Sequence, residues 1–157
     1  MEKDDFKYSL SFGDDVFGGP DWKTMVPPEE AERCRREGVV PLLRDADGEP
    51  LRRNFVHVDD LASAMLAALD NPRAKRQLYN VSMDRPVDYG EVAAHLRRSR
   101  GLGSIDISSN YHSNWMDNSK AKHHLVWKPE YDLGRLIDSA WDYRRSPDDP
   151  RKVWYPG

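Results

Sequence analysis

The spacing of apolar residues changes several times along this chain, and each change marks a predicted element. Tyr8-Ser9-Leu10-Ser11-Phe12 alternates polar with apolar as a short strand does, then runs into the loop sequence Gly13 to Pro20. Pro27 and Pro28 stand ahead of Glu29 and Glu30, which puts proline in a first helical turn and carboxylates beside the positive end of the helix dipole. With Gly38 as a stop, a helix is predicted over about 28–37. Val39 to Leu43 reads as a buried strand, Asp45 to Pro50 as a turn and Leu51 to Val58 as a returning strand, so residues 39–58 are expected to form a hairpin. Leu61, Met65, Ala68 and Leu69 then fall at i, i+4, i+7 and i+8, the stripe of a core-facing helix capped by Asp59 or Asp60 and ended by Asn71-Pro72.

Further on, Gln77 to Ser82 is a strand candidate, and Asp88 with Glu91 has the spacing of a capping box that opens a helix to about Ser99. Gly101 and Gly103 break that helix, Ile105 and Ile107 alternate with polar neighbours as a short strand, and Asp117-Asn118-Ser119 caps a helix from Lys120 to about Leu125. Trp127-Lys128-Pro129 forces an extended exit. A last helix from Asp132 carries Leu133, Leu136, Ile137, Ala140 and Trp141 on one face. The expectation is an α/β fold: a small mixed sheet with about five helices, the hairpin 39–58 at its centre, in one domain over 1–145, with an irregular tail over 146–157.

Composition narrows the partners. The 157 residues are 38% hydrophobic and 32% charged, enough for one modest core. The 24 basic and 27 acidic residues are mixed along the chain, so no cationic face is concentrated for a nucleic-acid backbone, and no nucleic-acid partner is expected. No apolar run approaches the roughly 18 residues a membrane span needs, and the first residues hold no apolar targeting core. One cysteine, Cys34, sits in a segment that reads as helical and partly exposed and cannot form an internal disulfide, which fits a reducing, cytoplasmic setting. Five tryptophans and seven tyrosines in a chain of low mean hydropathy carry much of the available burial, and some of that surface is expected to meet a partner.

Four segments carry a family resemblance. Residues 12–20 follow a strand with a Gly-rich loop. Residues 38–62 end in Arg53-Asn54-Phe55-Val56-His57-Val58-Asp59-Asp60-Leu61-Ala62. Leu78-Tyr79-Asn80-Val81 is a short apolar strand sequence. Asp117-x-Ser119-Lys120-Ala121 runs to Leu125-x-Trp127-x-Pro129. In this order and spacing they resemble the substrate-binding, C-terminal half of the extended short-chain dehydrogenases/reductases, the NAD-dependent epimerase/dehydratase family. The resemblance implies that a complete enzyme of this kind uses NAD or NADP on a Rossmann domain and binds a nucleotide-sugar with the smaller part.

The parts that do chemistry in that family have no counterpart here. No glycine cluster forms the turn that lets backbone amides approach a pyrophosphate. No tyrosine is followed four residues later by lysine, the pair that keeps a phenolate accessible as acid/base. The chain is therefore expected to bind no cofactor alone and to be a fragment, a split gene product or a decayed paralogue, without a full Rossmann sheet. The alternative is a non-catalytic binding or assembly module that pairs with a separate Rossmann-domain protein or forms a homo-oligomer. A stand-alone hydrolase or lyase built on Asp15 and His57 is a weaker third reading, since nothing in the sequence brings the two together.

The resemblance names the substrate-binding candidates. Arg53 matches an arginine that contacts a diphosphate, a role suited to a planar guanidinium; the bland reading is a solvated strand-end arginine beside Arg52. A second arginine expected before the Ser-Lys-Ala helix is absent from residues 110–116. Asp15 stands where an asparagine often reaches the substrate, and would suit a hydroxyl or amine, or else cap its own loop. Asn54 beside Arg53 completes the set. His57 reads as a structural histidine, and His112, His123 and His124 lack the company of a metal site, so no metal is expected.

Overall fold

The computed structural model describes residues 26–143. Helix α1 (Pro28–Glu37) has proline in its first turn and ends at Gly38, whose φ of 66° is the left-handed value glycine adopts without a Cβ penalty. Strand β1 (Val40–Arg44) follows. The chain then turns through 45–50 into β2 (Arg52–Arg53), helix α2 (Val58–Leu69) and a 3-10 turn at Pro72–Ala74. Strand β3 (Val87–Asp88) leads into α3 (Tyr89–Arg100), capped by the Asp88 carboxylate, which accepts the Gly90 and Glu91 amides. Strand β4 (Ser104–Ser108), α4 (Ser119–Leu125) and α5 (Leu133–Asp142) complete the order. Five α-helices and two small sheets, one parallel and one antiparallel, give the described residues the mixed α/β architecture that the sequence predicts.

The predicted hairpin 39–58 is not the centre. Strand β1 pairs in parallel with β4, Val40 opposite Ser104 through Arg44 opposite Ser108. The turn at 45–50 does form, with the Gly48 amide on the Asp45 carbonyl, but only an Arg44–Pro50 bridge and the Leu51 amide on Leu43 join its two arms. Beyond Leu51 the chain leaves β1, and Arg52 and Arg53 pair antiparallel with Asp88 and Val87. The expected strand to Val58 thus stops at Arg53, and Val58 already belongs to α2. Leu51 is wholly buried with Cys34, Leu43 and Ile107, the core beneath the parallel pair. Cys34 is therefore a core residue and not the partly exposed thiol expected from its sequence neighbours.

Helix α2 reverses its predicted orientation. Ala64 is buried against Ala121, Leu125 and Trp127, with Ala67 and Ala68 packed at the same cluster. Small side chains allow α4 to approach closely, so the alanine side turns inward. Val58, Met65, Leu66 and Leu69 are left exposed, the last two at 73% and 77%, and Leu61 is only partly covered. The cap also differs. His57 is the N-cap residue, its Nδ1 accepting from the Asp59 amide at 3.2 Å. Asp60, 2% exposed, instead accepts from the amides of Glu130 at 2.9 Å and Tyr131 at 3.1 Å. The Tyr131 ring stacks on His57 with centroids 3.5 Å apart, and its hydroxyl donates to Asp59. Trp127 donates from Nε1 to Ser63 Oγ at 2.8 Å. The extended exit after α4 is thereby clasped to the start of α2.

The strand expected at 77–82 joins neither sheet of the described residues. Among the described residues the amides of Leu78 to Ser82 have no hydrogen-bond acceptor, and regular pairing resumes only where Met83 donates to the Phe55 carbonyl. Leu78 is 85% exposed. The strand expected at Tyr8–Phe12, the loop holding Asp15 and the tail from Ser146 lie outside the described residues.

Two stability measurements follow. Asp60→Ala leaves two amides without their acceptor in a buried setting and is expected to cost about 3 kcal/mol in a urea titration. Val126, at φ 53°, is a β-branched residue in left-handed backbone at the end of α4. Val126→Gly is expected to raise stability by about 1 kcal/mol in the same assay.

Candidate ligand-binding site

Arg53 and Asn54 stand at the end of β2, between two supports. On one side, β3 holds the strand by backbone pairing, and the Arg52 guanidinium donates from Nε to Asp88 at 3.0 Å. On the other, residues 113–116 lie against β2 as a strap. The Arg52 amide donates to Ser113 Oγ, the Asn114 amide to the Arg52 carbonyl, Asn54 Nδ2 to Asn114 Oδ1, and the Met116 amide to Asn54 Oδ1 at 2.6 Å. Ser113 Oγ in turn donates to Asp45 at 2.6 Å. The same carboxylate accepts the Asp47 and Glu49 amides, and these bonds, the Ser113 one foremost, hold its pKa below the ordinary aspartate value. One hydroxyl therefore joins the turn, the strand and the strap.

Within this frame Arg53 has a special status. It is half-buried, yet it makes no ion pair and no hydrogen bond among the described residues. Its neighbour Arg52 is paired with Asp88, and Arg44 with Asp106. The charge of Arg53 is felt at Tyr89, whose phenol is pushed up by burial and pulled part of the way back by that guanidinium. Tyr89 itself packs against the core beneath β1. A half-buried cation without a partner among the described residues can take an anion, and a guanidinium suits a phosphate oxygen pair. Asn54 is placed differently from its neighbour, because both ends of its amide are already engaged by the strap. Trp115 and Met116 on that strap are exposed at the same end of β2, a contribution that the sequence pattern did not single out.

Elsewhere, the expected histidine roles resolve into structure. His57 caps and stacks, His124 sits edge-on to Tyr79 and His95 bonds Asp138 at 3.1 Å. Lys120 lies 5.2 Å over the Tyr79 ring. Among the described residues no group of three or more His, Cys, Asp or Glu is arranged for a metal, and no helix is long and apolar enough to cross a membrane.

Four of the described glycines are committed to turns and helix ends. Gly38 and Gly101 close helix C-termini and Gly48 sits in the turn. Gly90 opens α3, but its amide is taken by Asp88 and the space over it is filled by Pro50, 3.0 Å from where a Cβ would stand. None of them leaves free helix-start amides for a pyrophosphate.

Residues 9–82 match the NAD dependent epimerase/dehydratase family. Over 131 residues the chain is 29% identical to a UDP-glucose 4-epimerase of Rhizobium leguminosarum bv. trifolii, covering 73% of this chain and 38% of that protein. Over 103 residues it is 32% identical to the chloroplast stem-loop binding protein of 41 kDa b of Arabidopsis thaliana, covering 55% of this chain and 27% of that one. The chain thus spans less than two-fifths of the length of these curated relatives. Its fold is shared with a short-chain dehydrogenase/reductase superfamily protein from Agrobacterium tumefaciens with bound NAD, at TM-score 0.59 and 22% identity over 64% of this chain and 31% of that one. It is shared also with a UDP-glucuronic acid 4-epimerase from Bacillus cereus in complex with NAD, at TM-score 0.55 and 22% identity over 71% and 35%.

The strap makes a pH prediction. The folded pKa of Asp45 is depressed, so the stability it contributes is present above the unfolded value of 3.8 and is lost as pH falls through the folded one. Thermal melts of the wild type between pH 7 and 3 should fall away at the acid end, and Asp45→Asn should start lower at pH 7 and lose less on acidification. Over residues 9–82 the chain is thus similar to the NAD dependent epimerase/dehydratase family, and it shares the fold of the matched structures.

Proposed function

We propose that this chain is the substrate-binding portion of an NAD(P)-dependent epimerase, dehydratase or reductase, taking the diphosphate of a nucleotide-sugar against Arg53. The observation that carries this reading is the half-buried Arg53 at the end of β2, which makes no ion pair or hydrogen bond among the described residues while β3 and the strap hold its strand. Asn54 positions the strap that borders the site, and Asp15, outside the described residues, is a further substrate contact, to a hydroxyl or amine of the sugar. With one arginine in place of a pair, the diphosphate is gripped from one side, and the exposed Trp115 and Met116 supply the opposite wall.

Catalysis and the cofactor belong, in this reading, to residues outside those described, on the same polypeptide or on a separate Rossmann-domain partner. Two findings support the assignment. Gly38, Gly48, Gly90 and Gly101 are taken up by turns and helix ends, and the matched structures that hold NAD are about three times as long as the part this chain covers. The binding unit is taken as 1–145, working in the cytoplasm. The Arabidopsis relative is named for stem-loop binding, but the intermixed charges here, 24 basic against 27 acidic, favour a small anion over a nucleic-acid backbone.

Calorimetric titration of the 157-residue chain with UDP-glucose tests the reading. Binding is expected, weakened about 10- to 100-fold in Arg53→Ala, since a charge-assisted contact contributes roughly 1.5–3 kcal/mol. Equal affinity of Arg53→Ala and wild type would remove Arg53 from the site. NADH fluorescence should stay unchanged on adding the chain; stoichiometric binding would refute the placement of the cofactor elsewhere.

A further inference from the structure

Charges that are mixed along the whole chain are sorted by folding at one place. Two stretches hold no carboxylate, 71–83 between Asp70 and Asp84 and 118–129 between Asp117 and Glu130, and together they carry Arg73, Lys75, Arg76, Lys120, Lys122 and Lys128. The two pack on each other. Asn71 Nδ2 donates to the His124 carbonyl at 2.8 Å, Asn118 Nδ2 to the Ser82 carbonyl at 2.9 Å, and Ala74, Tyr79 and Val81 pack with Ala121, Leu125 and Trp127. The Tyr79 hydroxyl donates to the Arg73 carbonyl while Lys120 lies 5.2 Å over the same ring, which brings the two groups of cations together. Elsewhere Arg33 is paired with Glu37, Arg52 with Asp88 and Arg100 with Asp138. On this surface Lys122 is paired: its bond to Asp84, with a smaller pull from Lys128, holds that carboxyl below the ordinary aspartate value. Arg73, Lys75, Arg76 and Lys120 are exposed and make no ion pair among the described residues. Arg76 also has φ 59°, left-handed backbone that glycine takes with less strain, so a cation stands where the turn itself favours a residue without a Cβ.

We propose that this surface docks a partner protein through a carboxylate-rich segment with interleaved aliphatic side chains. Cations held close together without carboxylates repel one another, and an acidic partner removes that repulsion. The apolar part of the fit is Leu78 and Val126, 85% and 86% exposed in the same two stretches. A phosphate backbone offers them nothing apolar. Stacked bases find no platform either, because Trp127 is buried and Tyr79 is edge-on to His124 with Lys120 over its ring. For a bilayer, one myristoyl chain already gives only marginal anchoring, and two single aliphatic side chains bury far less. Carboxylates spaced by aliphatic residues meet both the charge and the apolar demand.

Fluorescence anisotropy of a labelled peptide, five repeats of Glu-Glu-Leu, titrated with the full 157-residue chain tests the docking. The titration needs no nucleotide-sugar and so is independent of the substrate assignment. Saturable binding is expected at about 50 mM salt, weakened about 10-fold at about 300 mM. The triple variant Arg73→Gln, Lys75→Gln, Arg76→Gln alters exposed side chains only and should bind about 10-fold more weakly. Arg97→Gln with Arg98→Gln, exposed cations on α3, should bind as the wild type does. Serine in place of leucine in the peptide should weaken binding. No binding of the leucine peptide, or equal binding by the triple variant or of the serine peptide, would overturn the proposal. An RNA duplex of about 16 base pairs, or phosphatidylserine vesicles, bound more tightly than the peptide and lost in the same triple variant, would assign the surface to nucleic acid or membrane and overturn it equally.

Discussion

The carboxylate of Asp60 is the constraint on which the arrangement of the second half depends. It sits in the first turn of α2, yet it does not serve its own helix; it takes the two amides that follow Pro129. That choice fixes where the chain goes after α4. With the exit held, Trp127 reaches Ser63, Tyr131 lies flat on His57, and α4 is drawn against the alanine side of α2. A buried charge is tolerable only when hydrogen-bonded, and here two amide donors meet that condition while tying together segments 70 residues apart.

The same economy of small side chains explains which parts of the fold were legible in the sequence. Helices α1, α3 and α5 were readable because their signals are local: proline and acids at one start, Asp88 and Asp132 as caps, left-handed glycines at two ends. Strands β1 and β4 were readable as strands, but their mutual parallel pairing was not, because a hairpin turn at 45–50 is an equally good local signal and it does form. The α2 stripe misled for a different reason. Periodicity finds the face with the largest apolar residues, whereas the packing of two helices at close range selects the face with the smallest. Only a knowledge of what α4 presents, Ala121 at its centre, distinguishes the two.

The candidate site divides in the same way. Arg53 was visible in the signature that it opens, and its half-buried, unpaired state gives that reading a physical basis. The strap was invisible, because its hold on β2 runs through Ser113, Asn114 and the Met116 amide, contacts some 60 residues from their partners with no periodic pattern of their own. Asn54 illustrates the difference between adjacency and availability: next to the cation in sequence, it is consumed by positioning the wall. Asp15 lies outside the described residues.

Ser113 carries a mechanical consequence. Its hydroxyl accepts from the Arg52 amide and donates to Asp45, and the Ala46 amide donates to the Tyr111 carbonyl, so the strap and the 45–49 loop are tied at two points and a displacement of one is felt at the other.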